Sequence, residues 1–514
     1  MVTTQSIDAR VRDLLAQMTL DEKLAQLGGM WVADLINEQK GFVAAKAQTA
    51  IPHGIGHISR IGSAALLPPA QSAALANTIQ EFLVKQTRLG IPAIVHEESC
   101  AGYMARGATS FPQSIGLAST WEPDLITALA QVIRTQMRAV GAHHTLAPVL
   151  DVARDPRWGR IEETYGEDPY LITQIGNAYI RGVQGDDLKR GVVATGKHFA
   201  GHGWSEGGRN WGIVRVPDRE FREIFLTPFW AAIKEAGIAS MMNAYHELDG
   251  IPCGSSKELM VDILRGEMGF EGVVVSDYST LDAFVNYHRV AVDAQDAARQ
   301  GIEAGIDIEL PAWNYYRDPL RKAVESGQVE IDLVDAAVRR VLRMKVQLGL
   351  FESPYVDDGK ALEVFNTPEQ RDLSLKIAEK SIVLLKNDHL LPLPADLKSV
   401  AVIGPGADSI RDLQGDYHYP AHLEKLVIAD VNPDLPTSPV QGLNSANIHE
   451  HFPPSVSVLA GIGAAISSDA QIHYAPGCEI NSDDTSGFAE AVAAAKQAQV
   501  AAGSGKFGGP LAPG

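Results

Sequence analysis

The sequence predicts an α/β protein: a TIM-like (β/α)8 barrel followed by an incomplete α/β sandwich domain. Three observations carry this. Apolar strand-like runs alternate with amphipathic helical stretches through the first two thirds of the chain. Polar clusters stand at the exits of many of those strands, where a doubly wound sheet would gather its ligand groups at one switch point. The same alternation breaks, restarts after residue 381 and then stops short. The expected domains are therefore a barrel over 1–349, a linker over 350–381 and a truncated α/β sandwich over 382–514.

Taken in order, residues 6–28 place Ile7, Val11, Leu14, Leu15, Met18, Leu24 and Leu27 at helical spacing, with Thr19 and Asp21 positioned as caps in mid-segment. Strands are expected at 56–61, 92–97, 144–152, 192–198, 238–245, 272–277 and 305–310. Helices between them are expected at 122–140, 167–184, 218–236, 256–268, 279–303 and 330–348. A helix after each strand implies crossover connections and a parallel sheet. Beyond the break come a helix over 368–381, a strand over 382–385, a turn over 386–394 and a strand at 399–408 that opens into Gly404-Pro405-Gly406. A strand at 470–474 and an alanine-rich helix at 486–500 follow. The Gly-Pro-Gly turn lacks the third glycine of a dinucleotide fingerprint and reads as a packing turn. Past Val500 the chain is glycine-rich, so the last helix is expected to feed no strand. Gly503-Ser504-Gly505-Lys506 is followed by Phe507, not by the Ser or Thr of a phosphate loop.

The chain has 514 residues, 45% hydrophobic and 21% charged, with a formal charge of −19 and no Lys/Arg run. Nucleic acid and anionic membrane surfaces are excluded as partners by that balance, and a neutral or sugar ligand suits it better. No stretch reaches the length of a membrane span, and the amino terminus opens into an amphipathic helix, so a cytoplasmic protein is expected. Cys100, Cys253 and Cys478 are far apart and odd in number, which predicts small buried side chains and no disulfide framework or zinc ribbon. A homo-oligomer stays open.

The strand exits hold the chemistry. The run 92–97 delivers His96, Glu97 and Glu98, and 144–152 leads into the loop Asp151–Tyr170 with Arg160 and Glu162. The run 192–198 ends in Lys197 and His198, with Arg209 further along the loop; 238–245 ends at Asn243 and Tyr245, and 272–277 at Asp277, followed by Tyr278. Carboxylates, guanidinium groups, a Lys–His pair and aromatic faces are what a polyhydroxylated ring needs. Asp277 alone could be a helix cap, and Arg160 with Glu162 a rim ion pair. His198 and His202 have a metal-like i, i+4 spacing, but Gly201 and Gly203 oppose a helix there and no third ligand is apparent. No metal and no cofactor are expected.

Five motifs then stand in order: W-G-R-x-x-E-x-x-x-E-D-P (158–169), K-H-F (197–199), N-A-Y-x-x-x-x-G (243–250), G-x-V-V-S-D-Y (272–278) and L-L-K-N-D (384–388). With them the chain resembles glycoside hydrolase family 3, nearly throughout up to Val500. The resemblance implies a retaining exo-acting β-glycosidase that releases terminal β-D-glucosyl or β-D-xylosyl residues from small β-glycosides or oligosaccharides, with Asp277 as nucleophile. It implies that Lys197, His198, Arg160 and Arg209 bind sugar hydroxyls, and the charges of Lys197, Arg160 and Arg209 would also keep Asp277 ionised. Tyr245 matches an aromatic packed beside the nucleophile. Tyr278 stands where Trp is frequent, which implies looser stacking of the aglycone. Glu98 matches a position where Asp is commoner; its extra methylene is expected to crowd a hydroxymethyl group and favour a pentose.

A retaining mechanism also needs a proton donor. In three-part relatives this is a Glu of the second domain, after the strand that should follow Val500, and no acidic residue follows Glu490 here. The acetylglucosaminidase branch uses an Asp-x-His dyad, and the loop 204–212 offers only Glu206. Impaired hydrolysis is the expectation. A β-N-acetylglucosaminidase and a non-catalytic sugar-binding fragment are the alternatives.

Overall fold

A computed structural model describes residues 6–394, 396–424 and 448–504 of the chain. Residues up to Ser381 form one unit, and the described residues from Ile382 form a second.

The amino-terminal stripe is two helices, Ile7–Leu15 and Leu20–Gln26. Thr19 does cap the second: its hydroxyl accepts from Glu22 N while the Glu22 carboxylate accepts from Thr19 N at 2.9 Å, a reciprocal capping box. Asp21 is not a cap; it lies in the first turn and pairs with Arg321 at 2.9 Å.

Seven strands come next: β1 Gly29–Trp31, β2 His57–Ser59, β3 Ile94–Glu97, β4 His144–Thr145, β5 Val193–Phe199, β6 Ser240–Asn243 and β7 Val273–Val275. They pair in chain order, all parallel, into one curled sheet. β1 has no expectation in the sequence, because three residues beginning on glycine carry no period. The expected strand over 144–152 shortens to β4, with Val149 bridging to Lys197 further on. The expected strand over 305–310 does not form. Ile308 bridges in parallel to Val275 and Glu309 to Gly28, one residue each. Two carboxylates anchor the segment there. Asp307 accepts from Val274 N and pairs with Arg265 and Arg340, and Glu309 accepts from the N–H groups of Asn314, Tyr315 and Tyr316. The backbone still pairs on both sides: Asp307 N and Ile308 N both donate to Val274 O, and Glu309 N donates to Leu27 O, so the segment makes single bridges and no ladder. The described residues thus give a two-unit α/β fold with a curled seven-stranded parallel sheet, where eight barrel strands are predicted.

Two expected helices are broken. The one over 279–303 becomes Thr280–Asn286 and Ala294–Glu303, the second capped by Asp293, which accepts from Asp296 N at 2.9 Å. The one over 218–236 passes through a π-helical turn, Phe221–Phe225, before Thr227–Lys234. The helix Pro69–Gln86 has no expectation in the sequence either, since its alanines bury without an obvious stripe. Residues 350–381 lie on the first unit. Helix Pro368–Ser381 is fixed there by Gln370, which bonds Thr109 and Gln136 at 2.9 and 3.0 Å. No helix among the described residues is long and apolar enough to cross a membrane.

Lys345, on helix Ile331–Gln347, is fully buried, donates to Gln26 Oε1 at 2.5 Å, and is lowered by burial to about 7. The unfolded chain keeps that proton up to the ordinary value of 10.5, while the folded chain releases it near 7. Between these values unfolding takes up a proton, so this group makes the fold more stable as pH rises, by up to about 1.4 kcal/mol per unit. Lys345→Met should flatten that slope in urea titrations run from pH 7 to 10; an unchanged difference across the range would contradict it.

In the second unit β8 Ser399–Ile403 lies between β9 Gln471–Ala475 and β10 Val500–Gly503, all parallel. Val400 and Val402 pack with Leu459 and Ile462 of helix Val458–Ala465. Ala401 and Ala475 meet Ala494 of helix Phe488–Gln497 on the other face. β10 overturns the expectation that the last helix feeds no strand. A ladder needs only backbone N–H and C=O groups, and small residues suffice beneath an alanine-faced helix. Gly404 lets the exits of β8 and β10 approach: at φ +129, a Cβ there would lie 1.7 Å from Ser504 O. The expected strand over 382–385 is absent, and Ile382, Val383, Leu384 and Leu385 are exposed, Leu385 at 92%. The remaining tail, with Lys506 and Phe507, lies outside the described residues.

Candidate active site

Because β1 to β7 run parallel, their carboxyl ends open on one side, and the residues after them share it. Asp277 follows β7 and is 8% exposed. Its backbone N–H donates to Asn243 Oδ1 at 3.2 Å, which ties the exit of β7 to the end of β6. Its Oδ1 accepts from Tyr278 N at 2.7 Å, while Oδ2 has no hydrogen-bond partner among the described residues. The helix after it is capped without a side-chain bond from Asp277, so the cap reading fails.

Around that oxygen the sheet gathers most of the expected residues. Lys197 at the end of β5 is buried and pairs with Glu98 after β3, Nζ to Oε2 3.1 Å. Burial pulls the Lys197 ammonium down more than any single neighbour raises it, but Glu98, Cys100 and Glu163 together outweigh it and hold the group at about 12. His198 Nε2 lies 3.6 Å from Asp277 Oδ2 and 2.8 Å from Arg160 Nη2. Arg160 forks onto Glu163 at 2.7 and 2.8 Å, so its partner is the residue after Glu162. Tyr245 donates its hydroxyl to Tyr278 O at 2.9 Å and stacks on Trp211, ring centroids 4.8 Å apart. Tyr278 is held through its own hydroxyl, 2.9 Å from His96 Nε2, and edge-on to Trp31 of β1 at 5.7 Å. Arg209 is not brought in. It is exposed on the loop after His202, and no hydrogen bond or ion pair links its side chain to Asp277, Lys197 or Arg160 among the described residues.

Burial pushes the Asp277 carboxyl above its usual value. Arg160, Lys197, the Tyr245 hydroxyl and the Tyr278 N–H all pull it down, and burial wins. Of the three cations expected to favour its ionised form, Lys197 and Arg160 do act on it and Arg209 is elsewhere. Cys100, in the loop after Glu98, is pushed up to about 12 by burial, so its thiol is inert.

Sequence reasoning passes over Asp151, and it has Glu163 as the fixed Glu of the motif at 158–169 without giving it a role; each is a partner of a residue it does single out. Asp151 is fully buried, and its Oδ2 accepts from His198 N at 3.0 Å and from His198 Nδ1 at 2.7 Å. Gly201, at φ +93, turns the chain so that the His202 ring meets His198 edge-on at 4.9 Å. Asp151, His198 and His202 thus offer three ligand atoms within 4.8 Å, and Asp151 is the third ligand the sequence did not show. Both nitrogens of His198 are already engaged, and the Arg160 guanidinium stands against one of them. A cation placed there would face that fixed positive charge, so the Asp151–His198 pair serves as a hydrogen-bonded mount, with His202 bonded instead to Asn210 O at 2.7 Å.

The chain matches the glycosyl hydrolase family 3 N-terminal domain over residues 19–344 and the family 3 C-terminal domain over 382–503. It is 34% identical over 512 residues to a β-xylosidase of Formosa agariphila, covering 96% of this chain and 60% of that protein. It is 32% identical to the periplasmic β-glucosidase of Salmonella typhimurium, over 94% and 57% of the two chains. The solved structure of a β-glucosidase from Erythrobacter marinus superposes with a TM-score of 0.84 at 32% identity, over 97% of this chain and 65% of that one. This chain therefore spans less than two thirds of the length of these relatives. On the two domain matches and these identities, the chain belongs to glycoside hydrolase family 3.

Proposed function

We propose that the chain is a retaining, exo-acting β-glycosidase that acts on terminal β-D-glucosyl or β-D-xylosyl residues. One observation supports this above the rest: a buried carboxyl oxygen, Asp277 Oδ2, with no hydrogen bond among the described residues, 3.6 Å from His198 Nε2 and within the fields of Lys197 and Arg160. That oxygen attacks the anomeric carbon, the bond to the aglycone breaks, and its electron pair leaves on the aglycone oxygen. Water then attacks the glycosyl ester and restores the carboxylate. The Lys197–Glu98 pair and Arg160 supply donors and acceptors for ring hydroxyls. The bridges of Ile308 to Val275 and of Glu309 to Gly28 support a barrel closed around this site. The names β-xylosidase and β-glucosidase borne by relatives support the substrate class.

The leaving oxygen needs a proton, and losing that help costs about 10²–10⁴-fold. For the chain as given we expect activated aryl glycosides to be cleaved far faster than alkyl glycosides or disaccharides. Glu206 is exposed and paired with Arg215, so the loop 204–212 gives the acetylglucosaminidase reading no support.

The test is trapping. Incubation with 2-deoxy-2-fluoro-β-glucosyl or -xylosyl fluoride should add one fluoroglycosyl group to the peptide carrying Asp277, read by mass spectrometry. No adduct, or an adduct on another carboxyl, rejects the reading. Specificity can be read at Glu98. Glu98→Asp withdraws the carboxyl by one methylene and should lower the xyloside-to-glucoside ratio of kcat/KM by about tenfold, the lower end of what a methylene contributes. An unchanged ratio would remove Glu98 from the choice.

A further inference from the structure

We infer that Asp151 is a positioning residue: it holds the His198 ring in one tautomer and one orientation, so that no proton stands between His198 and Asp277 Oδ2. This rests on the glycosidase reading of the same site, and it adds a residue that this reading does not use.

The argument is one of donors and acceptors. A guanidinium can only donate, so Arg160 Nη2 at 2.8 Å requires His198 Nε2 to be the acceptor. A neutral imidazole then carries its proton on Nδ1, and Nδ1 lies 2.7 Å from Asp151 Oδ2. The same oxygen also accepts the backbone N–H of His198 at 3.0 Å, so side chain and main chain are pinned to one atom. Asp151 is in the loop after β4 and His198 at the end of β5, so this contact also fixes two neighbouring strand exits. Burial and the nearby Arg160, His202 and Lys197 charges keep the imidazole well below its ordinary value, hence neutral.

The consequence lies at the nucleophile. Asp277 Oδ2 is 3.6 Å from His198 Nε2. With the proton on Nδ1, that nitrogen offers a lone pair, and Oδ2 stays free of a hydrogen bond. With the proton on Nε2, the imidazole would donate to the attacking oxygen and withdraw its electron density. Without Asp151 the ring would lose its Nδ1 anchor, and a rotated ring would serve Arg160 equally well through Nδ1 while presenting Nε2–H elsewhere in the site. Glu163 and Glu98 cannot replace Asp151, being bound to Arg160 and Lys197.

The experiment uses ring-¹⁵N histidine labelling of the whole chain, with a His198→Gln sample to assign the signal and no substrate present. The wild-type His198 resonances should show Nδ1 protonated and Nε2 bare from pH 6 to 8; a protonated Nε2 overturns the inference without any variant. Asp151→Ala should mix or reverse that pattern and slow the glycosylation of Asp277 by a 2,4-dinitrophenyl glycoside, which needs no proton donor, by about 10²-fold, as for a misplacement of around 1 Å. Asp151→Asn keeps a carbonyl oxygen for both N–H groups and should retain the wild-type tautomer and most of the rate. If Asp151→Ala does not fold, the Asn variant and the wild-type spectrum still decide. A slow Asp151→Asn with an intact tautomer, or an unaltered Asp151→Ala, refutes the inference. A wild-type chain with the stated tautomer that cleaves no glycoside would reject the function alone.

Discussion

Asp277→Ala is expected to reduce cleavage of aryl β-glycosides by roughly 10⁴–10⁶-fold, the range for removal of a group that bonds to the substrate. The loss should fall on kcat, because the donors that grip the ring, Lys197 and Arg160, keep their own partners in Glu98 and Glu163. The variant leaves a hole where the carboxyl stood, of a size for a small anion, and Lys197 and Arg160 make it electropositive. Sodium azide should therefore restore part of the rate. It would attack the anomeric carbon from the side Asp277 occupied, with the aryl oxide leaving, and so give the α-glycosyl azide by one inversion. A β-azide would mean that attack comes from the other face and that Asp277 is not the nucleophile. Stability is a useful control. Asp277 carries a raised pKa because burial disfavours its charge, so its removal takes away an unfavourable buried group and should not lower the urea midpoint markedly. A variant that unfolds would point to a structural role through the Tyr278 and Asn243 contacts.

Much of this site is legible in the sequence because strand exits are short-range features. Val273–Val275 reads as a buried strand, and the residues just past such a strand in a parallel sheet stand at its mouth. Lys197, Glu98 and Tyr245 are legible in that way, and Arg160 by its motif. Arg209 is grouped with them for the same reason and does not join them. It comes after a loop that passes through Gly207 and Gly208, both at positive φ, and nothing in the local pattern says where such a loop points its side chains. Asp151 escapes notice for the opposite reason. Its role is defined by a residue 47 positions away in the chain, and such pairings have no period. The same limit applies to the fold. The helix over 279–303 has helical spacing throughout, yet His288 turns inward to bond Tyr245 O and Glu247, and the helix breaks there. Tertiary contacts override local propensity at these points. In the second unit the glycine-rich sequence after Val500 hides β10, since strand formation there depends on an edge offered by β8 and not on the residues' own preference.

Lys197→Met should lower the stability of the first unit by about 3–5 kcal/mol, the usual result of removing one member of a buried ion pair. Both partners are buried, so Glu98 would be left as a desolvated carboxylate without its cation. The same change should alter the pH profile. Lys197 is one of the two cations that pull the Asp277 carboxyl down, so without it burial has less to oppose it and the carboxyl rises further. Asp277 must be ionised to attack, and the acid limb of kcat/KM should therefore move to higher pH. Loss of fold and loss of charge can be told apart by pairing the change with Glu98→Gln. The double variant has no orphaned carboxylate and should recover much of the urea midpoint, while its acid limb stays displaced, since the ammonium is still missing. If the double variant is no more stable than Lys197→Met, the ion pair is not what Lys197 contributes to the fold. If its acid limb returns to the wild-type position, Lys197 does not tune the nucleophile, and Arg160 alone has to account for the ionised Asp277 that the chemistry requires.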